Sequence, residues 1–387
     1  MKRSLAVDGR ELVLDDDVLA PFESELREAP PTEDEGREAR LAFAAMHVAM
    51  QDGYAEVPHA PDRPGKPDEL VACIDWDTTF ALRRRLDGLG LGVAEAMDTA
   101  QRFELGWEGA RRLIEGTGAL GLRRPFVAGV STDHLDTVRS IDDLVGAVCE
   151  QIAFVREHGG EPVVLPMPWL ARERCGEDDY VATYRGILDG SEGALWLHWL
   201  GEMFLPELAG YFPGDSFERI LALDRERFRG VKISLLDAER EVAIRRTLAP
   251  HGQRVLTGDD FHFARLIAGD EHGCSHALLG VFDGVARPAS VALELLARGR
   301  RDAFLEVLTP CEAFGQHVFG KPTMHYKAGL AFVAWLNGLQ PNPMLPNHLE
   351  RARDRAHLVR CAELASACGA IEDAAVAADR LSAWLAS

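Results

Sequence analysis

From residue 70 onward, short apolar runs alternate with longer amphipathic stretches, and this alternation restricts the fold more than any other feature of the chain. The runs are Leu70 to Trp76, Gly92 to Asp98, Pro125 to Thr132, Pro162 to Pro168, Ala194 to Leu200, Gly230 to Leu235, Arg254 to Asp259 and Gly273 to Val281. Helical patterns fill the intervals, at Thr78 to Leu89, Trp107 to Ala119, Ile141 to His158, Asp179 to Leu188, Phe217 to Asp224, Ala238 to Leu248, Phe261 to Ala268 and Arg287 to Ala297. Strands joined by helix-length crossovers pair in parallel, since an antiparallel pair needs only a tight turn. Eight such units match a closed α/β barrel, the (β/α)8 or TIM barrel, better than an open sheet.

The barrel is expected over residues 69–300. Residues 1–68 read as an N-terminal extension, with a possible hairpin around Asp8-Gly9, an acidic proline-containing stretch from Ala29 to Glu35 and a helix near Glu38 to Met50. A proline-rich linker from His59 to Asp68 follows. Residues 301–387 read as a C-terminal helical region packed on the barrel.

The formal charge of -20 gives no electrostatic reason to approach a phosphate backbone or an anionic membrane surface, so neither nucleic acid nor membrane is an expected partner. The N-terminus lacks a signal-peptide core, and no apolar run is long enough to span a bilayer, which points to the cytoplasm. Seven cysteines with no CxxC pair imply neither a disulfide framework nor a thiolate zinc site. The bases are more informative. There are five lysines, at 2, 66, 232, 321 and 327, against a background of arginine. Arginine keeps its proton at working pH, whereas a desolvated lysine loses it and becomes a nucleophile. Lys232 stands inside an apolar strand.

Chemistry in such barrels sits at the C-terminal ends of the strands. Those ends carry Asp75 and Asp77, Asp98 and Thr99, Asp133 and His134, Trp169 and Arg172, then His198, Lys232, Asp259, Asp260 and His276. Asp259 precedes a helix start and suits a capping role, leaving Asp260 for a substrate hydroxyl.

Three motifs in order carry a resemblance: Gly230-Val231-Lys232-Ile233-Ser234, Leu256-Thr257-Gly258-Asp259-Asp260, and Asp270-Glu271-His272-Gly273-Cys274-Ser275-His276. With Gly320-Lys321-Pro322-Thr323-Met324-His325-Tyr326-Lys327-Ala328 and Leu345-Pro346, they resemble the dihydrodipicolinate synthase and N-acetylneuraminate lyase family of class I aldolases over roughly residues 70–347. The resemblance implies a TIM barrel, a homo-oligomer and a Schiff-base role for Lys232. It also implies departures. Met97-Asp98-Thr99-Ala100-Gln101 stands where the family holds an α-keto acid carboxylate with a G-T-T-G-E loop, and an acid there repels such a ligand unless protonated or turned away. That favours a neutral polyol or keto sugar. Pro166-Met167-Pro168-Trp169 offers no phenol where the family places its proton-relay tyrosine, so His198 becomes the substitute acid and base. Arg172 falls where the family grips a carboxylate, although a solvated arginine is the plain alternative.

The expected activity is a Schiff-base lyase, aldolase or dehydratase of carbohydrate catabolism acting on a small keto acid or keto sugar. Lys232 and His198 are its catalytic residues, Asp98, Thr99, Trp169, Arg172, Asp260 and His276 bind its carbonyl substrate, and it needs no cofactor beyond the lysine itself. A metal-dependent sugar isomerase or epimerase is the alternative, with His198, His276, Asp133 or Asp260 holding a divalent cation, though no HxH or HExxH spacing supports it. A sugar-binding barrel without chemistry is a third reading.

Overall fold

The computed structural model describes residues 1–7, 9–28 and 40–386. An antiparallel pair, β1 (Lys2–Val7) and β2 (Arg10–Asp15), precedes helix α1 (Ala20–Glu28). Eight strands then close a parallel barrel: β3 (Ala42–Ala45), β4 (Gly92–Glu95), β5 (Val127–Val130), β6 (Glu161–Val164), β7 (Leu195–Leu200), β8 (Phe228–Ser234), β9 (Arg254–Thr257) and β10 (His276–Leu279). Closure comes from β10 pairing with β3, Ala277 opposite Ala42 and Leu279 opposite Ala44.

The crossovers are α2 (Pro67–Ala72) with α3 (Trp76–Gly88), α4 (Arg102–Gly118), α5 (Ile141–Glu157), α6 (Pro168–Arg172) with α7 (Glu177–Asp189), α8 (Ser216–Leu221), α9 (Ala238–Leu248) and α10 (Phe263–Ala268). After β10 come α11 (Ala286–Ala297), α12 (Arg301–Val318), α13 (Lys327–Leu336), α14 (Arg355–Ala367) and α15 (Ala374–Ala386). None of these helices is long and apolar enough to cross a membrane.

Strands covered by helices outside and by each other's side chains inside are apolar on both faces. Phe43, Ala45, Ala94, Val127, Val163, Trp196, Leu256 and Leu278 fill the barrel interior. The layer between sheet and helices is a second, larger core that runs on into α12 to α15.

The eight-strand barrel is the expected one, but its first strand is not where the sequence pattern placed it. Leu70 to Trp76 belongs to α2 and the start of α3, and the run expected as a helix near Glu38 to Met50 supplies β3. Ala42-Phe43-Ala44-Ala45 is buried on both faces and has no β-branched residue, so it shows neither alternation nor strand propensity. The barrel therefore begins near residue 42, and the proline-rich segment belongs to its first crossover. The expected hairpin is present, although Asp8 lies outside the described residues, as does the acidic stretch from Ala29 to Glu35. That hairpin packs on the C-terminal helices: Ser366 Oγ accepts from the Asp15 amide at 2.9 Å and donates to the Val13 carbonyl at 3.1 Å.

The end of the first strand carries a buried polar network. His47 is fully buried, with Nδ1 2.6 Å from Asp283 Oδ2 and Nε2 2.6 Å from Gln340 Oε1. Gln340 donates through its amide nitrogen to the Ala331 carbonyl at 3.0 Å, so its oxygen faces the imidazole as acceptor. Both ring nitrogens thus meet acceptors, and His47 is held as imidazolium. Burial opposes that charge, yet Asp283 and the two hydrogen bonds raise the pKa above 6.5. Arg83 closes the network, pairing with Glu95 at 2.8 and 2.9 Å and donating to the His47 carbonyl at 2.6 Å.

A histidine whose folded pKa is raised contributes stability that is fully present below the unfolded value of about 6.5 and is lost as pH climbs through the folded value. Denaturant unfolding between pH 6 and pH 9 is expected to show a stability loss on the alkaline side that His47→Gln lacks. The variant itself should be destabilised by about 3–5 kcal/mol at pH 6, because Asp283 is left buried without its counter-ion.

Candidate active site

Lys232 sits two residues from the end of β8, opposite His198 on β7 and Leu256 on β9. Registered partners in a parallel sheet project to the same side, and Leu256 belongs to the barrel interior, so Lys232 points into the barrel near its C-terminal mouth. Two glycines make room for it. Gly230 has φ 154°, and a Cβ there would lie 1.8 Å from the Arg254 carbonyl oxygen. At Gly258 a Cβ would come 2.2 Å from Ser234 Oγ and 3.0 Å from Lys232 Cε. The glycines of the strand-six and strand-seven motifs are thus steric requirements of the lysine's own surroundings.

The amine is 8 % exposed as a residue and makes no hydrogen bond to any described residue. Burial drives its pKa down to about 8, against the opposing pull of Asp260 and Asp98. Asp260, 4 % exposed, accepts from the Val281 amide at 2.8 Å, and burial lifts its carboxyl to about 7. Both shifts have one cause: a pair desolvated together loses charge together. Asp259 accepts from the amides of Phe261 and His262 at 2.9 and 3.1 Å, which makes it the cap and leaves Asp260 to the site.

His198 faces the same cavity. Its Nε2 lies 3.1 Å from Ser234 Oγ, and its Nδ1 is buried without a partner among the described residues. Burial, reinforced by the charge of Lys232, holds its pKa well below 6.5, so it is a neutral imidazole throughout the working range. The expected acid and base is thereby a weak base with one unmet hydrogen-bonding nitrogen, a deficit worth about 1–3 kcal/mol that a polar ligand atom would relieve.

Asp98 corrects the expectation drawn from its charge. Lys327 Nζ, 3 % exposed on its side chain, pairs with Asp98 at 2.9 Å, and the Tyr326 hydroxyl donates to Asp98 Oδ2 at 2.9 Å. The carboxylate is compensated inside the protein and is not free to repel a ligand anion. Tyr326 Oη is also 2.8 Å from Thr99 Oγ1. Since the phenol's proton goes to Asp98, the threonine hydroxyl donates to it, giving a chain Thr99, Tyr326, Asp98, Lys327. Burial and the Asp98 charge keep the Tyr326 pKa well above 10. A phenol therefore does enter the site, not after the fourth strand but from the segment that leads into α13. Phe319 stacks on the Tyr326 ring at 4.2 Å and 14°, holding it in place.

The cavity bounded by these groups is about 20 Å³, room for one water, so an organic substrate must displace a lining side chain such as the half-buried Phe204 on the loop after β7. A larger hollow beside Trp199, Tyr211 and Arg240 shares Leu200 with it but contains neither lysine.

Of the residues named from sequence, Lys232, His198, Asp98, Thr99 and Asp260 meet here. Trp169, Arg172 and His276 do not. Trp169 packs at the start of α6 against the outer core. Arg172 is 58 % exposed and lies 3.8 Å from Glu207. His276 opens β10 at the opposite mouth, where Nδ1 accepts from the Leu41 amide at 2.9 Å. Asp133 is held by Arg102 at 2.8 and 2.9 Å and by Gln151, outside the cavity. The four ligands of the metal-dependent alternative therefore do not converge. Sequence reasoning missed Ser234, Phe319, Tyr326 and Lys327 as site residues, although Tyr326-Lys327-Ala328 lies inside the C-terminal motif.

A sequence family described as a protein of unknown function (DUF993) matches residues 11–387. No curated protein matches the chain. Among solved structures, it is similar to a dihydrodipicolinate synthase from Acinetobacter baumannii complexed with pyruvate, at 14% identity and TM-score 0.61, covering 86% of this chain and 100% of that one. The synthase from Oceanobacillus iheyensis gives 14% identity and TM-score 0.60 over 85% and 96% of the two chains. The sialic acid aldolase from Ruminococcus gnavus gives 13% and 0.58 over 86% and 98%. At such identities the likeness establishes a shared fold.

With its pKa lowered to about 8, Lys232 should be carbamylated by cyanate at pH 8 ahead of surface lysines of ordinary pKa, as read by peptide mass spectrometry across a pH series. The Asp260 anion raises the pKa of the amine, so Asp260→Asn should move the midpoint of the profile to lower pH. A midpoint that stays or rises would show that the two groups do not interact.

Proposed function

Because the chain belongs to the family described as a protein of unknown function (DUF993), we propose its activity from its own site: a class I aldolase-type lyase that forms a Schiff base through Lys232 with a small keto acid or keto sugar. One observation carries the reading. A buried lysine has no hydrogen-bonding partner among the described residues, is lowered to about 8, and stands in a barrel-mouth cavity beside an acid raised to about 7. A structural lysine in an apolar interior needs a bound counter-charge, as Lys327 has in Asp98. Lys232 lacks one and has the neutral fraction that nucleophilic attack requires.

The amine attacks the substrate carbonyl, and the carbinolamine loses its hydroxyl as water. The proton for that departure comes from Asp260, which is partly protonated near neutrality. The resulting iminium accepts the electron pair of a bond broken at the adjacent carbon, a carbon–carbon bond in aldol cleavage or a carbon–hydrogen bond in dehydration, after which the enamine expels the neighbouring hydroxyl, with its electron pair, as water. Tyr326, hydrogen-bonded to both Thr99 and Asp98, is placed to carry the proton of the cleaved substrate and takes the part assigned to His198 from sequence. His198 in turn supplies a neutral imidazole to a substrate hydroxyl through its unmet Nδ1. Asp98 is satisfied by Lys327, so keto acids stay within the substrate class together with keto sugars.

The test is reductive trapping. Borohydride added with a panel of small 2-keto acids and keto sugars should give a mass adduct on Lys232 with at least one of them, and none in Lys232→Ala. Tyr326→Phe should keep the adduct while lowering turnover of that compound by about 10²- to 10⁴-fold. A panel member that binds by thermal shift yet leaves Lys232 unmodified, or modifies another lysine, would overturn the covalent mechanism.

A further inference from the structure

Away from the barrel mouth, α12 and α14 bring together two histidines and a cysteine that no step above uses. His317 lies at the end of α12, and His357 and Cys361 are one turn apart on α14. One ligand atom of each of the three lies within 4.8 Å of the others. The imidazoles stack at 4.1 Å and 22°. His317 Nε2 donates to the His357 carbonyl at 3.0 Å, which leaves Nδ1 as the nitrogen with a lone pair. His357 Nε2 is buried with no hydrogen-bond partner among the described residues. The Cys361 thiol is buried, makes no hydrogen bond to any described residue, and faces Gly329 on α13, where a Cβ would come 3.1 Å from the sulfur. Three soft or borderline donors are therefore gathered with their lone pairs unspent, and the neighbouring helix leaves space beside the sulfur.

We infer that His317, His357 and Cys361 form a binding site for a divalent transition ion, zinc by the softness of its donors, that ties the end of α12 to α14. Two imidazoles and a thiolate make up three of zinc's four positions, and the half-buried histidines leave the fourth to water. Binding exchanges a proton for a metal: the thiol loses its hydrogen as the sulfur–zinc bond forms, and one proton leaves for solvent.

The site lies close to the proposed chemistry without belonging to it. His317 is two residues before Phe319, whose ring fixes Tyr326, and Arg353 on the far side of the cluster donates to the carbonyls of Gly320 and Pro322. Zinc there holds the segment that delivers the phenol and Lys327 to the barrel mouth.

Cobalt(II) and zinc(II), each added alone to chelator-treated full-length protein, are the probes. Expected are one tightly bound equivalent, a thiolate-to-cobalt charge-transfer band, and about one proton released per ion at pH 7.5. The carboxylates of Asp15, Asp16 and Asp17 also cluster, but they can give neither the sulfur band nor the proton. Cys361→Ser should abolish the band, and His357→Ala should weaken zinc binding at least about tenfold. If Cys361→Ser fails to fold, His317→Asn, at a half-buried position, reads the same loss of affinity. No stoichiometric ion, a bound ion without the sulfur band, or affinity unchanged in His357→Ala and His317→Asn would each overturn the site. None of these readouts depends on the barrel's activity, so failure here and failure of the Schiff-base reading are separate results.

Discussion

Charge buried in an apolar interior has to be compensated or given up, and the upper end of this barrel does both within one cavity. Lys327 and Asp98 keep their charges by lying 2.9 Å apart. Lys232 and Asp260 have no such contact and are pushed toward their neutral forms. The two lysines illustrate how the same side chain serves opposite ends. One is a fixed counter-ion that orients a carboxylate and through it a phenol, and the other makes no ion pair among the described residues and is lowered to about 8 by burial against the pull of Asp260 and Asp98.

This arrangement makes the C-terminal helices part of the site. Phe319 and Tyr326 reach the cavity from the segment between α12 and α13, and Lys327 at the start of α13 pairs with Asp98 in its wall, while α14 and α15 pack behind those helices. The N-terminal hairpin in turn rests on α14 through Ser366. A chain of contacts thus runs from the first residues of the protein to the phenol beside Lys232, and the His317, His357 and Cys361 cluster lies along it. After the first strand, the imidazolium of His47 pairs with Asp283 after β10 and hydrogen-bonds Gln340 beyond α13, so the barrel and its helical appendage share a buried hydrogen bond as well as an apolar layer.

How legible this was depended on whether a feature was local. The alternation of strands and helices needed only near neighbours, and it was read correctly from the second strand onward. The first strand escaped because Ala42 to Ala45 is enclosed on every side, which removes the polar half of the pattern by which strands are recognised. Asp98 was read from sequence as a charge that repels a ligand anion, but Lys327, 229 residues away in sequence, pairs with it. His276 and Arg172 failed for a related reason: position in a strand or loop does not say which mouth of the barrel a side chain faces, or whether it turns outward to solvent.

The sequence by itself determined the parallel barrel and the place of Lys232 on its sixth strand, because period, propensity and spacing are properties of short segments. Only the tertiary structure decided which charges are neutralised, which phenol lines the cavity beside Lys232 and which way His198 titrates. Those depend on burial and on partners within a few ångströms, and folding brings such partners together from segments that are hundreds of residues apart.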